Sequence, residues 1–223
     1  MTSESTESTV TMLQHGKVSL ALHRLREGEG RALLLLHELG GHAPAAAPAW
    51  SADWSGPVVA LDFTGHGLST VPRGGGYSAE MLLADADAAL AVLGSATVVG
   101  RGLGAYIALQ LAGARATSVR GAVLGDGPGL AGGATRPTST SVLVLEPRAT
   151  APDPYVMFEM SRDLRPPDYA TVFVRMAVEH SGLDEPLTVS AVVRPPWLAA
   201  VAEELGVVQA PVRQALAAYA AIS

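Results

Sequence analysis

The chain contains no cysteine among its 223 residues. This absence excludes disulfide bonds, thiol nucleophiles and thiolate metal sites, and it is compatible with a reducing cytoplasm, where we expect the protein to act. No apolar run approaches the roughly 20 residues that a helix needs to cross a bilayer, so we expect no membrane association. Residues 1–10 are mainly polar and lack the pattern of a signal peptide. We therefore expect a disordered tail at 1–10, followed by a single domain at 11–223.

Charged residues are also scarce, at 16% of the chain, and the formal net charge is -6. The bases are scattered among the acids and form no basic stripe, so we do not expect nucleic acid as a partner. Hydrophobic residues make up 48% of the sequence. At this length, such a composition is sufficient for a sizeable core in one globular domain.

Short apolar segments alternate with segments of helical periodicity along most of the chain. This alternation predicts an α/β fold with a mostly parallel central sheet and helices on both faces, and such sheets bind ligands beyond the carboxyl ends of their strands. The predicted strands are 18–25, 32–36, 57–61, 121–124, 141–145 and 170–176. The predicted helices are 78–93, 153–164, 197–205 and 211–221, and a short helix fits within 43–54.

The segment 97–112, TVVGRGLGAYIALQLA, is the most informative part of the sequence. It begins as a β-branched strand, turns at Gly100, Gly102 and Gly104, and continues as an apolar helix. A sharp strand-to-helix turn with closely spaced glycines is the pattern of a nucleophile elbow, in which a G-x-S-x-G sequence raises a serine above the sheet. Here the apex residue is Gly102, so the elbow pattern is present without a nucleophile.

Three motifs, LLLLHELGGH, LDFTGHGLS and VVGRGLGAYIAL, resemble motifs of the α/β-hydrolase superfamily and occur in the family's order. The resemblance extends from about Val18 to the C-terminus and implies a single α/β-hydrolase-like domain without a cap. The alternative is a dinucleotide-binding sheet that uses the GRGLG turn. We favour the hydrolase-like domain because three motifs occur together in order, and we expect no cofactor.

The resemblance also implies a catalytic triad in the order serine, acid, histidine. Its serine falls on Gly102, so no acyl-enzyme can form at this position. His180 is the candidate base. Asp126 is the candidate acid one strand earlier than usual, and Asp153 is the alternative acid.

Backbone groups at the predicted site do not depend on side chains. By resemblance, the N–H groups of Leu39 and Leu103 would form an oxyanion-type site for a carbonyl or an anion. The residues that we expect to line the pocket are His37, Glu38, Arg101 and Gly102.

Three histidines, His37, His42 and His66, lie in the loops after two predicted strands. Their spacing matches no compact metal-binding motif, so we expect no metal site. His66 and Asp62 belong to the D-x-x-G-H-G-x-S turn, whose role in the family is mainly structural.

The residues leave three hypotheses open. The first is a hydrolase-like protein with a degenerate triad that binds a small apolar or carbonyl-bearing ligand and has little or no serine-hydrolase activity. The second is an active hydrolase of small esters, in which His180, with Asp126 or Asp153, activates water. The third is a structural or protein-interaction role, and a homodimer is compatible with it. Fold alone does not decide among them.

Overall fold

The computed structural model describes residues 9–130, 150–162 and 165–222. The strands are β1 (Thr9–His15), β2 (Val18–Arg26), β3 (Ala32–Leu36), β4 (Val58–Leu61), β5 (Ala96–Arg101), β6 (Val119–Gly125), β7 (Leu187–Ser190) and β8 (Val207–Gln209). The helices are α1 (Ala79–Leu93), α2 (Leu103–Ala114), α3 (Pro154–Arg162), α4 (Pro167–His180), α5 (Pro196–Val201) and α6 (Val212–Ala220).

The eight strands form one sheet in the order β1-β2-β4-β3-β5-β6-β7-β8. β1 and β2 are antiparallel, as are β2 and β4, and every other neighbouring pair is parallel. The mostly parallel sheet predicted from the alternation of segments is therefore confirmed. Parallel strands place their carboxyl ends at one edge, which brings together the loops that follow β3, β4, β5 and β6.

Helices cover both faces of the sheet. On one face, Leu34, Leu36 and Val98 belong to a core that also contains buried residues of α1, α2, α4 and α5. On the other face, Leu33, Leu35 and Val99 belong to a smaller core with residues of α6. Because β3 alternates its side chains between these two cores, all five of its residues are buried.

The connection from β3 to β4 contains a three-residue 3-10 helix at Ala49–Ser51. A parallel connection of this kind usually carries a full α-helix that packs on the sheet. Here Trp54 belongs to the smaller core, and Trp50 packs against it. Part of this sheet face, near the carboxyl ends of the strands, is consequently open.

Two segments differ from the sequence predictions. The segment 170–176, predicted as a strand, lies within α4 and is helical. Its buried residues are Ala170, Thr171, Val174 and Ala177, at the spacing of one helical face. β1 begins at Thr9 and so includes two residues that the sequence analysis places in the tail. The strand predicted at 141–145 and most of the connection judged too short for a cap lie outside the described residues.

Candidate functional site

The elbow predicted at the end of β5 is present, and Gly102 stands at its apex. Gly102 has φ +51° and ψ −114° and immediately precedes the first residue of α2. A positive φ of this kind is strained for residues with a side chain and is open to glycine. The backbone therefore keeps the sharp turn of a nucleophile elbow, although the apex carries no nucleophile.

The space into which a side chain at the apex would project is filled by the chain itself. A Cβ atom added to Gly102 would lie 2.6 Å from the carbonyl carbon of Gly127 and would also overlap the carbonyl oxygen of Pro128. Both of these residues belong to the loop that follows β6. The loop therefore closes the position where a serine hydroxyl would act.

The carbonyl oxygen of Pro128 also occupies the predicted oxyanion-type site. The N–H of Leu39 donates to this oxygen at 3.1 Å, and the N–H of Leu103 donates to it at 3.0 Å. Two backbone donors thus converge on one acceptor at the N-terminus of α2, where the helix dipole favours a partial negative charge. The sequence motifs predict both donors, but not their internal acceptor. No side-chain pattern could have identified it, because the acceptor is a backbone carbonyl.

His37 and His66 are buried and fully engaged in holding the loops after β3 and β4. Phe63 N–H donates to Nε2 of His37 at 3.2 Å, so Nδ1 of His37 carries the proton and donates to the Glu38 carbonyl at 2.7 Å. Nε2 of His66 likewise accepts from Gly40 N–H at 3.2 Å. Burial lowers the pKa of each imidazole to about 4. Neither ring has a nitrogen available to act as a base near neutral pH.

Asp62 joins the same loops from the end of β4. Its carboxylate accepts the N–H of Ala43 at 2.6 Å and that of Leu68 at 2.8 Å, and it lies 2.8 Å from Nε2 of His23. Although burial acts to raise its pKa, these hydrogen bonds hold the pKa of Asp62 below its ordinary value. The carboxylate therefore stays ionised and fixes the turn, in keeping with the structural role that the motif implies.

His180 does not meet the elbow. It is the last residue of α4, its side chain is 57% exposed, and its Nε2 lies 3.9 Å from Oε2 of Glu179. The carbonyl of the next residue, Ser181, accepts a hydrogen bond from the guanidinium of Arg120, near the start of β6. Gly102 lies beside the other end of β6. The five residues of extended chain between these two ends of β6 span roughly 16 Å. His180 and Gly102 thus lie at opposite edges of the sheet.

Asp126 lies beside the elbow but faces a different loop. Its Oδ2 accepts the N–H groups of Val192 and Val193, each at 3.1 Å. The hydrogen bond from Val193, with that from Val192 and the charge of Arg101, lowers the pKa of Asp126. Asp126 fastens the loop after β6 to the loop after β7, and it is not brought to His180.

Asp153, the alternative acid, is buried and has its own partners. Its carboxylate accepts the hydroxyl of Tyr77 at 2.6 Å and the N–H of Tyr155 at 3.0 Å. The structure therefore pairs neither candidate acid with His180. The loops after β7 and β8 contain neither an acid nor a histidine that could replace these residues. Their sequences are AVVR at 191–194 and APVR at 210–213.

Solved structures similar to this chain are α/β-hydrolases. A thioesterase domain from the curacin biosynthetic pathway matches it with a TM-score of 0.60 over 96% of this chain and 97% of that one. The chain has the α/β-hydrolase fold. The two sequences are 16% identical, so the likeness establishes the α/β-hydrolase fold and not a shared activity.

Two further α/β-hydrolase structures match about half of the chain. An epoxide hydrolase from Vigna radiata is 20% identical, with a TM-score of 0.46 over 55% of this chain and 41% of that one. A probable hydrolytic enzyme from Pseudomonas aeruginosa PAO1 is 24% identical, with a TM-score of 0.43 over 52% of this chain and 40% of that one. The chain spans about two fifths of the length of each. No protein-family model and no curated protein matches it.

Beside the closed elbow, this α/β-hydrolase fold contains a cavity of about 240 Å³. The cavity lies on the sheet face that the β3–β4 connection leaves open. Its lining includes His37, Glu38 and Arg101, three of the four predicted pocket residues, and does not include Gly102. The other lining residues are Leu35, Leu36, His42, Ala43, Pro44, Pro48, Trp50, Ala60, Leu61 and Val99. The sequence analysis missed the walls formed by Pro44, Pro48 and Trp50, although this Ala/Pro-rich segment signals a connection with little helix.

Within 9–130, 150–162 and 165–222, no three histidine, aspartate or glutamate side chains are grouped to hold a metal ion. In the same ranges, no helix is both long and apolar enough to cross a membrane.

Proposed function

We propose that this protein is a non-catalytic member of the α/β-hydrolase fold that binds a small, largely apolar ligand in the cavity beside the elbow. The observation that carries the proposal is the position of the Pro128 carbonyl. This carbonyl accepts the N–H groups of Leu39 and Leu103, so the site that would polarise a substrate carbonyl already holds one from the chain itself.

The missing nucleophile supports the same proposal. Serine-hydrolase chemistry requires a hydroxyl at the apex and a base within hydrogen-bond reach. The apex is Gly102, and the space beside it is filled by Gly127 and Pro128. Exposed His180 lies at the far edge of the sheet. A water-activating hydrolase built on His180 therefore receives no geometric support.

The neighbouring cavity favours ligand binding over a purely structural role. Ligands of open α/β sheets bind beyond the carboxyl ends of the strands, and a purely structural role does not require an open pocket at that edge. Here that edge keeps a cavity of about 240 Å³ with an apolar floor and a few polar groups at its mouth. This combination is typical of small-molecule sites, although the volume lies below the roughly 300 Å³ at which sites for drug-sized ligands begin.

Three measurements on the intact protein test the proposal. A fluorophosphonate probe should leave every serine unlabelled, and hydrolysis of a short-chain nitrophenyl ester should stay at the background rate. Toluene should change the fluorescence of Trp50, and the change should disappear in an Ala60→Phe variant that fills the cavity floor. Circular dichroism must show that this variant is folded. Stoichiometric labelling, or ester turnover above background, would overturn the absence of catalysis. A fluorescence of Trp50 that responds neither to toluene nor to carbonyl-bearing aromatic compounds of its size would overturn ligand binding.

A further inference from the structure

The floor of the cavity is flat because three neighbouring parallel strands supply it in register. Leu35 of β3 lies opposite Ala60 of β4 on one side and opposite Val99 of β5 on the other. These side chains point to the same face of the sheet, and none of them is polar. Pro44, Pro48 and Trp50 line the cavity from the β3–β4 connection. A flat apolar floor beside an indole is suited to a planar ring.

The volume limits the size of the ligand. A cavity of about 150 Å³ lined by apolar residues accommodates benzene, which has six carbon atoms. Scaling from that case, the cavity of about 240 Å³ holds about ten non-hydrogen atoms. One aromatic ring with one small substituent has this size.

The mouth of the cavity carries one charge of each sign. Nη1 of Arg101 lies 3.7 Å from Oε1 of Glu38, which is beyond hydrogen-bond range. The two side chains are 59% and 29% exposed, respectively. Within the described residues, neither the guanidinium nor the carboxylate makes a hydrogen bond. The N–H donors of Arg101 and the carboxylate oxygens of Glu38 therefore lie side by side at the mouth of the cavity.

These groups discriminate among substituents by charge. A ligand carboxylate would bind Arg101 but would face Glu38, and Asp126 also lies within electrostatic range of Arg101. A ligand amidinium would bind Glu38 but would face Arg101. A carboxamide is neutral and has an acceptor beside a donor, so it can accept from Arg101 and donate to Glu38 at once. Like-charge repulsion penalises both charged alternatives.

We propose that the cavity recognises a neutral aromatic carboxamide of benzamide size, with its ring on the floor formed by Leu35, Ala60 and Val99 and its amide between Arg101 and Glu38. This inference rests on the proposed ligand-binding function and adds the chemical class of the ligand. It requires no covalent step.

The test compares three probes of nearly equal shape, benzamide, benzoate and benzamidine, with toluene as the apolar reference. Binding is followed by tryptophan fluorescence, and a Trp50→Phe variant assigns the signal among the three tryptophans. We expect benzamide to bind about tenfold more tightly than each of the other three, because only benzamide can use both charged groups.

Matched variants at the mouth separate recognition from a general change in the pocket. Glu38→Gln should weaken benzamide and strengthen benzoate, whereas Arg101→Gln should weaken benzamide and strengthen benzamidine. Neither variant should change toluene binding. Benzoate or benzamidine binding the unmodified protein as tightly as benzamide would overturn the inference.

The outcomes also distinguish this inference from the function on which it rests. If toluene binds and benzamide is no tighter, only the carboxamide inference fails. If none of the four probes changes the fluorescence of Trp50, both proposals fail.

Discussion

The N–H of Leu103 donates a 3.0 Å hydrogen bond to the carbonyl oxygen of Pro128. Leu103 is the first residue of α2, directly after the apex of the elbow, and its N–H is one of the donors that the fold would offer to a substrate. Pro128 belongs to the loop after the next strand. Because the loop saturates this donor, the loss of activity that we propose depends on a backbone contact as well as on the missing serine.

Introducing a serine at the apex should destabilise the protein and should give no hydrolase activity. In a Gly102→Ser variant, the new Cβ would overlap Pro128 and Gly127, and its backbone would keep a strained positive φ. We expect a loss in the free energy of unfolding of about 3 kcal/mol, from backbone strain and overpacking together. Urea denaturation measures this loss, and a fluorophosphonate probe should leave the introduced serine unlabelled.

Gly182 provides the matched control for that substitution. It has φ +68°, and a Cβ added there would meet nothing within 4 Å. A Gly182→Ser variant therefore carries the backbone strain without the overlap, and we expect a loss of only about 1 kcal/mol. Equal losses in the two variants would mean that the loop moves aside freely, contrary to a closed elbow.

The stability of the protein should fall between pH 6.5 and pH 4. The pKa values of buried His37 and His66 are lowered from 6.5 to about 4, so in this range the unfolded chain binds protons that the folded chain does not. The contribution of each histidine is complete above pH 6.5 and is lost as the pH falls towards 4, on the order of 3 kcal/mol per histidine. Urea denaturation at a series of pH values measures the loss.

Two variants identify the histidines responsible. His66→Gln and His37→Gln each remove one titrating ring, and each variant should make the pH dependence clearly shallower. Burial raises the pKa of Asp85, so above pH 3.8 its contribution to the free energy of unfolding changes with pH in the opposite direction. This contribution is common to all the proteins compared. A pH dependence that is the same in His66→Gln and in the unmodified protein would refute the assignment.

Asp126 should prove to be a positioning residue for a loop and not a catalytic acid. Replacing it by alanine removes the acceptor for Val192 and Val193, and we expect a cost of about 1 kcal/mol, since both hydrogen bonds lie near solvent. The Asp126→Asn variant keeps a carbonyl acceptor and should lose less. A loss in Asp126→Asn as large as that in Asp126→Ala would mean that the charge, and not the acceptor, matters at this position.

Removal of the His180 imidazole should have almost no effect. The side chain is exposed at the end of α4, and its only neighbouring charge in the described chain is Glu179 at 3.9 Å. We expect His180→Ala to change the free energy of unfolding by less than about 0.5 kcal/mol. Its rate with a nitrophenyl ester should equal that of the unmodified protein. A reproducible fall in ester turnover would revive the water-activating hypothesis.

The fold was predictable where short apolar runs end at glycine-rich turns. The segments corresponding to β3, β4 and β6 and the elbow between β5 and α2 are confirmed, because a strand buried on both faces shows an uninterrupted apolar run. The segment of β2 is also confirmed, and its sequence alternates apolar and polar residues. β7 and β8 have only four and three residues. Unlike the equally short β4 (VVAL), neither β7 (LTVS) nor β8 (VVQ) is an uninterrupted apolar run, so no sequence pattern marks them as strands.

The segment 170–176 shows how composition misleads. ATVFVRM is rich in β-branched and aromatic residues, which favour strands. The decisive signal was instead the spacing of the small and apolar residues Ala170, Val174 and Ala177, which form the buried face of α4. Once this segment is helical, His180 is no longer the residue after a strand, and the basis for placing it at the carboxyl edge disappears.

The candidate site was predictable in its donors and not in its acceptor. The N–H groups of Leu39 and Leu103 follow from the motifs, because backbone donors survive any change of side chain. The Pro128 carbonyl has no sequence signature, since every residue has a carbonyl and only the path of the loop directs this one. The cavity walls depend on the irregular connection between β3 and β4. Residue propensities do not determine the course of such a connection.

The overlap at Gly102 also makes a serine hard to introduce at the apex by a single mutation. A codon change to serine introduces an atom where the Gly127 carbonyl carbon and the Pro128 oxygen already lie, so the first step towards a nucleophile at the apex lowers the stability of the protein. The loop after β6 would have to be rebuilt before a serine is introduced. A laboratory selection for esterase activity should therefore start from libraries in residues 126–129, with position 102 varied only afterwards.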